Sequence, residues 1–464
     1  MSEARLSHSK FVGIAGLVAG VVVGAVTVVL AGTAVAHRLA AAAPEPLLEA
    51  THLPPLLTAP DERVELRYDV YCTTAEQIES DAPCDATGSV FVRAAQVGPF
   101  TEIGLRDEGS ASEGRFVTVV PSAVARSPSG FAYYAVIRSR ANGKTVTLPG
   151  GGATAPQRSA PLLQSAVATL GEHGFGKTRT ADRRVAEAAW GTGPGEVGLE
   201  DVGKNLSPIG GSAFDVGPDG DVYVLDEANR RVLRWGTESG SPAQVPLEIN
   251  GTLADMSVAA DGTAYVLETT GAARDTMLLR TFDANGVARG TSELAERASQ
   301  VRVGPSGPVV LQTTSGQWMS AATGGRALSP SAQKASGRSG RPLLGGREVV
   351  VYRSGNELRA ALIGPGFFRK TWRVTSETPL AEVQLAEPLG NRLVVVVRTF
   401  TDQRDEFVVL VLGPRGVEKG FSLDSADWAE TAPLSRFRLA GQSLYQLGST
   451  PAGMFVDRID LEVK

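Results

Sequence analysis

Histidine is nearly missing from this chain: of 464 residues only His8, His37, His52 and His173 are histidines, and none lies in 190–464. Acid–base catalysis and metal ligation that depend on an imidazole are thereby excluded from the C-terminal half. No Gly-x-Ser-x-Gly elbow is present, so nucleophilic serine hydrolysis has no support. Basic clusters are absent too. With 45 Lys and Arg against 50 Asp and Glu, the formal net charge is −5, and a nucleic-acid partner is excluded. Aromatic residues make up only 6%, which argues against a carbohydrate site built on Trp or Tyr platforms.

Cysteine is equally scarce. Only Cys72 and Cys84 occur, with eleven residues between them. That spacing fits no CxxC redox or zinc motif. A bridge closing so short a loop contributes about 3 kcal/mol in the chain-entropy model and belongs to an oxidising compartment. Two buried free thiols in a cytosolic protein are the alternative.

What the sequence does have is a long apolar run. Phe11–Ala36 holds 26 residues with no charge and no polar side chain beyond two threonines. This exceeds the ~20 residues a helix needs to cross a hydrocarbon core, so a single transmembrane helix is expected, after a cytoplasmic tail at 1–10. The competing reading is a cleaved signal peptide, since Ala34-Val-Ala36 before His37 has the small-x-small form. Either way the remainder is exported. Residues 37–60 are rich in Ala and Pro and suit a tether. Over 61–150, alternation at Val64–Val70, Ser89–Arg93, Phe116–Val120, Ala132–Arg138 and Lys144–Leu148 predicts a small β-sandwich, with Asn142-Gly143 as a hairpin turn.

The C-terminal 190–464 is a faded repeat. Its clearest copy, Ser212-Ala-Phe-Asp-Val-Gly-Pro-Asp-Gly-Asp-Val-Tyr-Val-Leu-Asp226 followed by Arg231-Val-Leu-Arg-Trp235, encodes two strands, a tight turn and a third strand. Gly220, Gly262, Gly307, Gly346, Gly390 and Gly441 mark successive turns, separated by 42, 45, 39, 44 and 51 residues on subtraction. Periods of roughly 40 to 50 residues are those of a four-stranded propeller blade. Six hairpins predict six blades; a β-sandwich with irregular turns is the alternative. The first unit, Trp190-Gly-Thr-Gly-Pro-Gly through Pro218-Asp-Gly-Asp-Val-Tyr-Val-Leu-Asp226 and Asn229-Arg-Arg-Val232, resembles the NHL repeat. The sandwich is similar in pattern to fibronectin III or immunoglobulin-like domains. The fold class expected is thus all-β: a transmembrane helix, a small sandwich and a six-bladed propeller.

Gly171-Glu-His-Gly-Phe-Gly-Lys-Thr178 satisfies the P-loop expression. No βαβ series surrounds it, so 151–189 reads as a linker with a short helix over Thr180–Ala189. No catalytic, metal or cofactor-binding residue is assigned. Propeller enzymes generally rely on a channel histidine or a calcium cage, and only the second remains open here, through Asp215, Asp226, Asp255 and Glu268. The same acids read as turn and strand-end groups. The leading expectation is a non-catalytic, membrane-anchored, extracytoplasmic protein whose propeller binds a protein, a polymer or a small molecule. The alternative is a calcium-dependent hydrolase or lactonase at the cell surface. A third, a sensor acting through the short tail Met1–Lys10, has ten residues with which to signal.

Overall fold

The computed structural model describes residues 48–72, 84–108, 114–200, 207–237, 240–270, 276–365, 369–430 and 436–462. The span expected over Phe11–Ala36 lies outside them. Among the described residues no helix is long and apolar enough to cross a membrane. Nearly all of the regular structure among the described residues is β, with two short α-helices, Ser122–Ala125 and Pro330–Ala335, and one 3-10 turn, Leu344–Gly346.

The first module packs two sheets around one core. A four-stranded sheet joins Glu49–Thr51, Glu65–Tyr71, Arg115–Val119 and Arg106–Asp107. A six-stranded sheet is centred on Ala86–Ala94 and Phe131–Ser139. Alternation along Glu65–Tyr71 sends Leu66, Tyr68 and Val70 inward, where they meet Val90, Val92, Tyr133 and Ile137 of the other sheet. Cys72 and Cys84 form a disulfide at one end of this core. Strands Leu57–Thr58 and Gln157–Pro161, outside the 61–150 span, are hydrogen-bonded into the wider sheet.

The rest of the chain is a β-propeller. Its sheets follow one another in sequence, each an antiparallel meander, and we label them I to VI. Sheet I is Ala213–Val216, Val222–Asp226, Arg231–Trp235 and Ala243–Pro246; sheet II runs over Thr252–Glu293. Sheet III is Ala298–Gly304, Gly307–Gln312 and Trp318–Ser320, followed by a separate two-stranded hairpin at Ala322–Ala327. Sheet IV is Arg341–Leu343, Arg347–Ser354, Glu357–Ile363 and Arg369–Thr375, and sheet V spans Leu380–Asp424. Sheet VI contains Phe437–Ala440, Ser443–Thr450 and Gly453–Asp460.

Five of the six spacing glycines lie in the turn between the first and second strands of their sheets and Gly307 opens the second strand of its own, and all have positive φ: Gly220 85°, Gly262 81°, Gly307 132°, Gly346 67°, Gly390 61° and Gly441 59°. L-residues rarely adopt that conformation, which is why glycine is the punctuation mark of this repeat. In the first turn, Gly220 N donates to Gly217 O and Gly217 N to Asp221 O. Val232 and Trp235 are buried, as the repeat pattern requires.

The ring is closed by two segments far apart in sequence. Arg183–Ala189 pairs antiparallel with Gly453–Asp460, completing sheet VI as its outer strand. The helix expected over Thr180–Ala189 is therefore corrected to a strand. Its sequence, Arg-Arg-Val-Ala-Glu-Ala-Ala, has helix-forming residues, but a free edge on Gly453–Asp460 offers a full ladder of hydrogen bonds and outweighs that weak local preference. Just upstream, Ala166–Thr169 adds a parallel outer strand to sheet IV, and Arg179 N bonds Ser422 O on sheet V. The segment read as a linker is thus a strap along the outer edges of three consecutive sheets.

Apolar side chains weld neighbouring sheets pairwise. Phe214 and Val224 meet Leu447 and Met454 between VI and I; Leu225 and Met256 join I to II; Leu267 and Leu279 meet Val301 and Val310 between II and III. Trp372 and Leu393 join IV to V, and Phe407 and Phe437 join V to VI. Among the described residues, sheets III and IV share no such cluster. The N-terminal module bridges them instead: His52 N donates to Thr314 O beside sheet III, and Leu57 and Leu162 pack on Val350 and Ala361 of sheet IV.

His52 anchors that bridge from within the module. It is stacked on Tyr68 at 4.4 Å, its Nδ1 donates to Arg67 O at 2.6 Å, and its Nε2 accepts from the Tyr133 hydroxyl at 2.7 Å. Burial, opposed by the Arg67 carbonyl, lowers its pKa to about 4. The folded state thus holds a neutral ring, and the unfolded chain takes up a proton first as pH falls below about 6.5. Stability contributed by the neutral ring is complete at neutral pH and is lost between pH 6.5 and about 4. Urea unfolding at pH 7 and pH 5 should show the wild type losing about 2 kcal/mol more than His52→Gln over that interval. Equal losses would contradict the assignment. Cutting the chain after Ser449 removes the strand between Ser443–Thr450 and Arg183–Ala189. This should exceed the roughly 5 to 15 kcal/mol of a typical domain and abolish the cooperative melt. A truncated protein melting like the intact one would overturn this closure.

Candidate functional site

Each innermost strand of the propeller carries one charged residue close before its turn glycine. Asp215, Asp255, Arg302, Arg341, Glu387 and Arg438 precede Gly220, Gly262, Gly307, Gly346, Gly390 and Gly441 by 5, 7, 5, 5, 3 and 3 residues on subtraction. They are tied to one another. Arg438 Nε donates to Asp215 Oδ1 at 3.2 Å, and its Nη2 to Asp255 Oδ1 at 3.3 Å. Arg302 Nη1 donates to Asp255 Oδ2 at 2.7 Å, and Arg341 Nη2 donates to Glu387 Oε2. Three acids and three arginines sum to zero, so these six residues are formally neutral as a set.

Backbone groups complete the set. Asp215 also accepts from Val216 N, Val258 N and the Ser257 hydroxyl, and Asp255 from Val301 N. Asp255 is wholly buried. Burial and then the nearby Arg302 guanidinium push Arg438 below its ordinary pKa, against the pull of Asp215 and Asp255. Such a network stabilises only when every member is satisfied, and removing one partner leaves a buried charge uncompensated.

The four acids weighed as a calcium cage fall into separate places. Asp215 and Asp255 belong to the ion network. Asp226 and Glu268, at equivalent strand ends of sheets I and II, hold loops. Asp226 accepts from Gly198 N, Asn229 N and Arg231 Nε; Glu268 accepts from Asn250 N and Gly251 N. Glu268 also forms an ion pair with Arg280 at 3.0 Å. Asn229 Nδ2 donates to Gly191 O. Among the described residues no group of three or more His, Cys, Asp or Glu is placed to hold a metal ion. The loop matching the P-loop expression is likewise filled from within: Glu406 of sheet V accepts from Gly176 N at 2.6 Å and lies 2.9 Å from His173 Nε2. No helix opens after it.

An open concavity lies between sheets III and IV. It is a cleft of about 310 Å³, walled by Trp318 and Leu311 of sheet III, Val349 and Val351 of sheet IV, and Val383 and Leu385 of sheet V. Leu53, Pro54 and Leu56 of the N-terminal module line one side, and Arg302, Arg341 and Glu387 connect it to the ion network. Neither cleft nor arginines were legible from spacing alone. The charges alternate within strands and read as a solvated face; their recurrence three to seven residues before each turn glycine was the available signal.

No protein-family model and no curated protein matches the chain. Among solved structures it is similar to virginiamycin B lyase from Staphylococcus aureus, at 8% identity over 54% of this chain and 94% of that one, with a TM-score of 0.33. It is similar also to BamB from Moraxella catarrhalis, at 14% identity over 53% and 95% with a TM-score of 0.28. YCF48 from Cyanidioschyzon merolae aligns at 12% identity over 57% and 99%, with a TM-score of 0.29. These values carry nothing about activity; the propeller rests on the succession of sheets.

The ion network gives a measurable expectation. Asp255→Ala leaves Arg302 and Arg438 without a shared carboxylate and should cost about 3 to 5 kcal/mol in urea unfolding. A loss below ~1 kcal/mol, the size of an exposed pair, would refute the buried-network assignment.

Proposed function

We propose that this chain is a membrane-anchored, extracytoplasmic binding protein, non-catalytic, which presents a six-bladed NHL-like propeller and a fibronectin III- or immunoglobulin-like sandwich. The observation that carries the binding reading is the pairing of charged groups inside the ring. Asp215 and Asp255 are engaged by arginines and backbone amides, which leaves neither of these two carboxylates disposed as a general base or an open metal ligand. The cleft between sheets III and IV, apolar with a few convergent polar groups, is the kind of concavity in which ligands bind.

Anchoring is supported by the uncharged run Phe11–Ala36, and export by the Cys72–Cys84 disulfide, a bond that persists in oxidising compartments. Six blades are supported by the six turn glycines at one structural position. The two-sheet core of the N-terminal module supports the sandwich. Carbonate washing of membranes tests the anchor: the full-length chain should stay in the pellet. Recovery of a soluble chain beginning at His37 would replace the anchor by a cleaved signal.

A further inference from the structure

The lining of the cleft holds more positive charge than the chain itself neutralises. Its charged residues are Arg302, Arg341, Arg353 and Glu387. Arg302 is paired with Asp255 and Arg341 with Glu387, both inside the ion network. Arg353 stands apart. Among the described residues no carboxylate pairs with it, and its one hydrogen bond runs from Nη1 to Gly355 O in its own hairpin at 3.3 Å. The lining thus keeps one positive charge in excess.

Strand geometry sets that charge beside the apolar walls. Residues two apart on Arg347–Ser354 share a face, so Arg353 continues the row of Val349 and Val351, and all three line the cleft. Arg353 ends the row at the hairpin and is partly exposed, which leaves its remaining N–H groups open. Arg341, opposite Val349 in the sheet, bonds through Nη2 alone, to Ala386 O and Glu387. A guanidinium is a planar fork that grips an oxyanion by two parallel bonds. The neutral polar groups nearby are engaged within the chain: Gln300 Oε1 accepts from Arg302 Nη2, and Ser339 Oγ from Arg158 N. Trp318, Leu311, Val383 and Leu385 complete the apolar walls. A volume of about 310 Å³, at the small end of the roughly 300 to 1,000 Å³ of ligand pockets, suits a small molecule.

We propose that the cleft between sheets III and IV binds a small organic anion of single charge, its oxyanion held by the Arg353 guanidinium and its apolar body against the walls. This rests on the reading of the chain as a binding protein and specifies its ligand class.

The full-length protein in lipid nanodiscs, with binding to empty nanodiscs subtracted, is dialysed to equilibrium at about pH 7.5 against 2-naphthoate, its neutral isostere 2-naphthamide, or 2-naphthyl phosphate, a dianion at that pH. Wild type should bind 2-naphthoate saturably and about tenfold tighter than the amide, the scale of one hydrogen bond to a charged group. Arg353→Gln should bring that preference below about twofold by weakening 2-naphthoate alone, and Arg353→Lys should keep part of it. Because Arg353 pairs with no carboxylate, its replacement strands no buried charge and spares the fold. Trp318→Ala should weaken both naphthoate and amide, which assigns the binding to this cleft. Amide bound as tightly as naphthoate by wild type, or a preference that survives Arg353→Gln, overturns the anion site and leaves the cleft a binding site. Tighter binding of the phosphate overturns the single charge. No binding of any of the three, or binding that Trp318→Ala leaves unchanged, overturns both this inference and the cleft-binding reading.

Discussion

The ladder between Arg183–Ala189 and Gly453–Asp460 is the constraint on which the ring depends. An antiparallel meander leaves an open edge at each end, and an open edge is an invitation to aggregation. Here the chain supplies the outer strand of its last sheet from a segment that precedes its first. Some 260 residues must be arranged before this ladder can form, so closure is non-local and depends on every sheet between. The strap does the same work twice more on its way, bonding to sheets IV and V before it reaches VI.

Closure brings the six innermost strands together, and their charges with them. Gathering six ionisable side chains, five of them buried, is costly unless each finds its opposite, and the pairing of Asp215, Asp255 and Glu387 with Arg302, Arg341 and Arg438 meets that condition. An apolar core would serve stability as well. What the ionic set adds is direction: Arg438 of sheet VI reaches Asp215 of sheet I and Asp255 of sheet II, so the last sheet is registered against the first two. In this way the network and the closing strand enforce the same topology from the inside and the outside of the ring.

The junction of sheets III and IV is the exception to pairwise apolar packing. Sheet III has three strands where its neighbours have four, and the first strand of sheet IV is only Arg341–Leu343. The two sheets share no apolar cluster among the described residues, and the N-terminal module packs at their junction through His52, Leu57 and Leu162. What it leaves unfilled is the cleft. The module is therefore a wall of the candidate site, and the polar and apolar parts of that site come from four separate regions of the chain.

The sequence by itself determined what is local. Alternation located the main strands of the first module, and the turn glycines located every first-to-second-strand turn of the propeller, because positive φ is a property of one residue and its neighbours. The Cys72–Cys84 bridge was equally legible, as a short loop between the only two thiols. Tertiary structure alone decided the rest. The fate of Thr180–Ala189 turned on an edge more than 260 residues away, the ion network on charges from six sheets, and the cleft on the convergence of four regions of the chain. Each of these is a relation between segments whose separation in sequence has no bearing on their distance in space, and composition and period are blind to it.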